Sequence, residues 1–262
     1  MPSDALVDLL TLQDLGGGRF EAPPPAPFEG GHVFGGYVAA QGLRSAASTT
    51  APDRRPHSVH AYFVSAGTVG RPIGLSVETV RDGRSFSLRR VTASQEGEVI
   101  LILDASFQVD QPGRMWSVAA PPDVSPDDCI DRVTYLHDRD WLEPFEIRPV
   151  LDAAPAAHPF WVRTRVPLPA DPALHASVIL AIADIGVATS AVGPRPFGGR
   201  IGPSLDHCVW LHRPPSADDW LYFSLSSQAN GGGRGFGTGT IITATGDLVA
   251  TVAQEILMRE SL

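Results

Sequence analysis

The stretch Ser204–Arg213, SLDHCVWLHR, reads as a buried strand: Leu205, Val209, Trp210 and Leu211 are apolar and β-compatible, yet Asp206 places a carboxylate near its start. A charge in that setting costs free energy unless something uses it. Two amides occupy comparable settings further on, Gln228 in LYFSLSSQANGGGRGF and Gln254 in LVATVAQEILMR. Brought together by a sheet, these three polar groups could hold one water molecule.

Outward from this strand, the chain repeats itself. Ala173–Val192 is apolar almost all round and reads as one buried helix, and it precedes the strand-like runs SLDHCVWLH, WLYFSLSSQ, GFGTGTIITAT and LVATVAQEILM. Earlier, a helix in HVFGGYVAAQGLRSAA precedes SVHAYFV, then PIGLSVETV with SFSLRRVTAS, then EVILILDASFQV. Arg81-Asp82-Gly83 and Glu96-Gly97-Glu98 supply the turns of the first half, and Thr245-Gly246-Asp247 one of the second. Overlaid, His60 falls on His207, Arg84-Ser85-Phe86 on Arg234-Gly235-Phe236, and Gly97 on Gly246. The order helix, strand, hairpin, hairpin occurs twice, which indicates a tandem duplication of an α+β unit. Asp206 overlays Val59 and Gln254 falls near Ala105, so the second copy carries polar groups where the first has ordinary core residues.

The expected organisation is a first unit over residues 1–110, a connector over 111–172 and a second unit over 173–262. The connector holds eleven of the 24 prolines and reads as irregular, with extended chain around Phe160–Val166. At the N-terminus, Ser3 is positioned to cap a short helix through Leu6, Val7, Leu9 and Leu10 that ends near Gly16-Gly17-Gly18.

Composition narrows the chemistry. All 20 basic residues are arginine, which excludes a Walker phosphate loop, Schiff-base lysines and serine–lysine hydrolases. A net charge of -9 with no basic cluster disfavours nucleic acid as a partner. Cys129 and Cys208 form no metal or redox spacing, and no metal is expected. Arg19 is the first positive side chain, so no signal peptide is read and a cytoplasmic protein is expected. The longest apolar run, Ser177–Val192, reads as too short for a bilayer and contains Asp184, so no membrane partner is expected.

Taken in order, FEGGHVFGGYVAAQGL, HSVHAYFVSAG, VETVRDGRSFSLRRV, ASFQ, LDHCVWLHRP, RGF and VAQE-x-x-MR resemble the acyl-CoA thioesterase II family of double hotdog proteins. The resemblance implies two fused hotdog units, each a long helix cradled by antiparallel sheet. It also implies hydrolysis of acyl-CoA by a water held by an Asp, a Ser or Thr, and a Gln from the second unit. By motif these positions match Asp206, Gln228 in place of Ser/Thr, and Gln254, with Ser226 sharing the face of Gln228. Asp184 is a further candidate, since other hotdog enzymes carry a catalytic carboxylate in that helix. A second departure from the family is Tyr37, where Gln commonly follows FGG. The resemblance implies no cofactor beyond the coenzyme A of the substrate; a homodimer or dimer of dimers is also expected.

The residues support such chemistry on their own terms. A thioester expels a thiolate whose parent thiol has a pKa of about 8.5, so a positioned water, a carboxylate and oxyanion donors suffice. The backbone N–H groups of Gly36 and Tyr37, at the start of the first helix, are the expected donors. Arg84, with Arg81, Arg89 and Arg90, is the expected contact for coenzyme A phosphates, and Tyr37, Phe34, Phe63 and Trp210 are bulky candidates for closing an acyl tunnel. Three other readings stand beside this one: Asp206 as a strand-edge group that caps a turn or pairs with Arg213, a catalytically inactive acyl-CoA binder, and a hotdog hydratase. The last is disfavoured because Asp206 and His207, as neighbours on a strand, face opposite ways. Gly235-Phe236-Gly237-Thr238-Gly239 runs into a strand and reads as bulge or close packing, not as a dinucleotide loop.

Overall fold

In the computed structural model, residues 5–28, 31–130, 140–151, 158–193 and 198–259 are described. The first half contains helix α1 (Ala5–Leu9), strands β1 (Gln13–Gly16) and β2 (Arg19–Ala22), helix α2 (Gly35–Ser48), and strands β3 (Arg54–Phe63), β4 (Ile73–Asp82), β5 (Phe86–Gln95) and β6 (Glu98–Val109). The second half begins with β7 (Phe145–Pro149) and β8 (Phe160–Thr164), followed by α3 (Pro172–Ala183) and α4 (Val187–Ser190). Strands β9 (Arg200–Ser204), β10 (Asp206–Leu211), β11 (Leu221–Gly231), β12 (Arg234–Thr243) and β13 (Leu248–Arg259) complete it.

The strands form one antiparallel sheet in the order β1-β2-β4-β5-β6-β3-β10-β13-β12-β11-β8-β7, with β9 paired to β13. Read from the central β3–β10 pair outward, the two halves are the same sequence of elements, as a duplication requires. That pair, with Val209 opposite Val59, is where the two units join. Strands β7 and β8, within the stretch read as a connector, hold in the second half the place that β1 and β2 hold in the first. The double hotdog architecture is therefore present.

Both helices lie on the concave face and pack side by side. Arg44 of α2 pairs with Asp171 at the start of α3 at 2.7 Å, while a Cβ added to Gly36 would stand 2.9 Å from the carbonyl of Ala181. The helices thus run antiparallel, and the first turn of α2 abuts the last turn of α3. Asp171 caps α3 by accepting from the N–H groups of Ala173 and Leu174, and Pro172 takes the first helical position, where no N–H is missed. By length and composition alone Pro172–Ser190 could cross a membrane, but 72% of its most apolar window is buried inside the fold. Its all-round apolar character is that of a core helix.

Three expectations change. The helix read over Ala173–Val192 breaks after Ala183, because Asp184 takes the C-cap position and Gly186 turns the chain with a φ of 79°. The Gly16-Gly17-Gly18 run is the turn between β1 and β2 and not a helix end; Ser3 lies outside the described residues. The overlay of His60 on His207 is out of phase: His60 is exposed and His207 fully buried, so the two residues point to opposite faces of the sheet. An odd offset between two strands reverses every side chain, so the overlay of Asp206 on the core residue Val59 does not hold in space.

Candidate active site

Strand alternation decides which polar residues can meet. On β13 the buried face carries Val252, Gln254, Ile256 and Met258. Gln254, 0% exposed, is fully engaged there. Its Nε2 donates to Asp184 Oδ1 at 2.8 Å and to Ser204 Oγ at 2.5 Å, and its Oε1 faces His207 Nδ1 at 2.5 Å. Three side chains, from a helix end and two strands, converge on one amide.

Ser204 and His207 share this face through an irregularity. Ser204 is opposite Ile256 and Cys208 opposite Ala253, so the register along β13 shifts by one residue between β9 and β10. Such a bulge turns the intervening residues away from their regular alternation. Asp206 is rotated to the convex face, opposite Tyr62, and its Oδ1 accepts the N–H of Glu255 at 2.7 Å. Leu205 N–H meanwhile donates to the carbonyl of Glu255 at 2.9 Å. Asp206 therefore satisfies a backbone donor that the bulge leaves without a ladder partner. It does not pair with Arg213, which binds Asp247 at 3.0 Å.

Gln228 is also on the convex face. It sits in a second bulge, between the Ser227–Gly237 and Ala229–Phe236 pairs, and donates to Ser226 Oγ at 3.1 Å and Thr238 Oγ1 at 2.9 Å. The expected set of Asp206, Gln228 and Gln254 is not assembled, since only Gln254 faces the helices. Ser226 goes with Gln228. Ser227 faces inward but is held by the carbonyl of Ala191 at 3.3 Å.

Asp184 is 8% exposed and stands where α3 ends against the first turn of α2. A Cβ on Gly35 would lie within 3 Å of the ring of Phe63 and 3.4 Å from Asp184 Oδ2, so glycine is what lets the Phe63 ring pack on the first turn of α2 beside the carboxylate. α2 has no side-chain N-cap and no acid in its first turn. The N–H of Gly36 has no backbone hydrogen bond among the described residues, whereas that of Tyr37 donates to Phe34 at 3.1 Å. The helix N-terminus is thus an available positive pole beside Asp184, with Gly36 rather than Tyr37 as the open donor.

The Tyr37 side chain faces elsewhere. Its hydroxyl donates to the carbonyl of Trp141 at 2.5 Å within a cluster of Phe28, Phe34, Trp141 and Phe145, and burial, reinforced by the charge of Glu143, holds the hydroxyl above the ordinary phenol range. Trp210 meets His60 edge to face on the convex face. Of the four bulky residues expected to close a tunnel, two border the first turn of α2: Phe63 at Gly35, beside Asp184, and Phe34, the N-cap, at Gly36.

The arginines around the first hairpin are not at this site. Arg89 is buried and spent on Asp82 and Thr49, and Arg90 pairs with Asp104. Through Arg89–Thr49 and Arg54–Gly83 that hairpin, with exposed Arg84 at its turn, is tied to the C-terminal end of α2, a helix of about 20 Å. The glycines of GFGTG serve close packing: a Cβ at Gly237 would lie within 3.6 Å of Val187, Ala191 and Ser190, so α4 can lie on β12. Among the described residues no cluster of His, Cys, Asp and Glu fits a metal ion.

Of the four residues in this hydrogen-bonded set, Asp184 and Gln254 are among the candidates that the sequence offers, and Ser204 and His207 are not. The signal for Ser204 was its position two residues before Asp206 in a strand read as continuous, where regular alternation gave no reason to separate the two.

Residues 23–108 match the acyl-CoA thioesterase N-terminal domain and residues 117–258 the acyl-CoA thioesterase C-terminal domain. Human acyl-coenzyme A thioesterase 8 is 34% identical over 256 residues, covering 87% of this chain and 80% of that protein. The crystal structure of acyl-CoA thioesterase II TesB2 from Mycobacterium marinum superposes with a TM-score of 0.84 at 36% identity, covering 98% of both chains. A hot dog fold protein from Alicyclobacillus acidocaldarius superposes with a TM-score of 0.85 at 23% identity over 98% of this chain and 99% of that one, a likeness of fold.

Proposed function

The chain belongs to the acyl-CoA thioesterase family, a thioester hydrolase, and from that premise we propose that it hydrolyses acyl-CoA to free acid and coenzyme A with Asp184 as general base, Ser204 and Gln254 positioning the water, and the first turn of α2 receiving the oxyanion. The observation that carries this assignment is the hydrogen bonding of Gln254 to both Asp184 and Ser204 on the buried face. The set is an Asp, a Ser and a Gln, all from the second unit.

Each group has a role set by its chemistry. Asp184 accepts from Gln254 through Oδ1, which leaves Oδ2, on the Gly35 side, to take a proton from water. Ser204 Oγ accepts from Gln254, so its own proton points onward, to the water or the carbonyl oxygen. As water adds to the carbonyl carbon, negative charge grows on the carbonyl oxygen, and the Gly36 N–H with the α2 dipole offsets it. Collapse of the tetrahedral species expels a thiolate that needs little acid assistance. No covalent intermediate and no cofactor beyond the coenzyme A of the substrate are invoked.

Thiol release from a panel of acyl-CoAs, followed with a thiol reagent, tests the activity. Release by the wild type, with a loss of about two orders of magnitude or more in Asp184→Asn, is expected. Absence of release at every chain length, with ligand-induced thermal stabilisation retained, would instead identify an inactive acyl-CoA binder.

A further inference from the structure

We propose that His207, which touches neither the helices' open pole nor the reacting groups, is a positioning residue that sets the direction of the hydrogen-bond chain through Gln254. The inference rests on the assignment of Asp184, Ser204 and Gln254 above.

A glutamine amide can sit in two orientations that differ in which end is the donor, and neighbouring groups must choose between them. At Gln254 the catalytic orientation puts the NH2 group toward Asp184 Oδ1 and Ser204 Oγ. A carboxylate can only accept, so the opposite orientation would set the carbonyl oxygen of Gln254 against Asp184. The carbonyl end then needs a donor of its own, because the residue is fully buried. His207 Nδ1, at 2.5 Å from Oε1, is that donor.

This fixes the tautomer. With the proton on Nδ1, the neutral imidazole donates to Gln254 and the amide donates onward to Asp184 and Ser204. With the proton on Nε2, two lone pairs would meet across 2.5 Å. Relief would come from flipping the amide, which transfers the mismatch to Asp184. Nothing on the far side of the ring opposes the first arrangement: His207 is 0% exposed, and among the described residues its Nε2 has no hydrogen-bond partner. A proton on Nε2 would be buried without an acceptor, at a desolvation cost. The chain is therefore polarised in one direction, from His207 through Gln254 to Ser204 and Asp184, and consecutive bonds of one sense strengthen each other.

His207→Phe keeps a ring of similar size and deletes the donor; His207→Asn shortens the side chain but returns an amide donor close to the position of Nδ1. Expected for His207→Phe is a fall of about tenfold or more in kcat with KM little changed, and for His207→Asn recovery of most of that loss at a melting temperature no higher than that of His207→Phe. In the wild type, the 15N shifts of the His207 imidazole should show the Nδ1–H tautomer, a reading that needs no turnover. A wild type with the Nε2–H tautomer overturns the proposal whatever the variants do. So does a folded His207→Phe with wild-type kcat, or a His207→Asn as slow as the phenylalanine variant. Failure of the functional assignment is seen separately, as absent thiol release or an undiminished Asp184→Asn.

Discussion

Gln254 and Asp184 are 70 residues apart in the chain, yet the amide of one donates to the carboxylate of the other at 2.8 Å, tying the last strand to the break that ends α3. The break and the strand face are both needed for that bond. Had α3 continued, Asp184 would occupy one more position on a buried helix; ended where it is, the carboxylate lies against the first turn of α2.

The two aspartates should therefore separate cleanly in kinetics. Asp184→Asn removes the base, at a cost of about two orders of magnitude in kcat, while Asp206→Asn retains an oxygen that accepts from Glu255 N–H and should stay within about threefold of the wild type. Asp206→Ala leaves that N–H unsatisfied and should instead lower stability by about 1–3 kcal/mol, read as a shifted denaturant midpoint. A normal rate in Asp184→Asn, or a collapse in Asp206→Asn with an unchanged midpoint, would reverse the assignment.

Ser204 and Gln228 form a second contrast. Ser204→Ala takes away the hydroxyl that Gln254 holds and should slow turnover by about a hundredfold, the lower end of the range for losing one positioned hydrogen-bond donor. Gln228→Ala loses only exposed contacts to Ser226 and Thr238, and both rate and melting temperature should be close to wild type. Steady-state assays of the pair, with thermal melts, check both.

Chain-length preference should respond to Phe63 and not to Tyr37. Phe63→Ala clears the ring that packs on Gly35 beside Asp184, and the ratio of rates on octanoyl- and acetyl-CoA should change. Tyr37→Phe strips the partner from the buried carbonyl of Trp141, a loss of about 1–3 kcal/mol in stability, and should leave that ratio as it was. An altered ratio in Tyr37→Phe alone would return the tyrosine to the acyl path.

Asp171 gives a pH dependence. Burial works against its charge, but the N–H of Leu174, the Arg44 guanidinium and the N–H of Ala173 outweigh that and hold the carboxyl below its ordinary value. Its contribution to folding is full above the unfolded value of about 3.9 and is lost as pH falls through the lower folded value. Asp171→Ala should cost about 0.5–2 kcal/mol at neutral pH, the usual loss for a helix cap, and the gap to wild type should close at acid pH below that window. Melts of both proteins across pH would show it; a gap independent of pH would mean the charge is not what the cap uses.

By itself the sequence determined the architecture. Hydrophobic periodicity and turn chemistry are local properties, and a pattern of helix, strand and two hairpins repeated in one chain yields the doubled unit and the buried setting of Gln254, whereas the β3–β10 pairing that joins the two units is a long-range contact. What only the tertiary structure decided was the face on which each polar residue stands. A strand's sidedness follows from counting by two, and one extra residue reverses it. The register shift between Ser204 and Cys208 brings Ser204 and His207 together and turns Asp206 outward, and the bulge at Gln228 keeps that amide on the convex side. Likewise, the end of α3 at Asp184 rests on the C-cap there and on Gly186 just beyond, but its meaning rests on the antiparallel neighbour α2, whose Gly36 lets its first turn close onto the Ala181 carbonyl in the last turn of α3. Bulges and helix–helix approach are settled by packing between segments far apart in the chain, and no local pattern in SLDH records them.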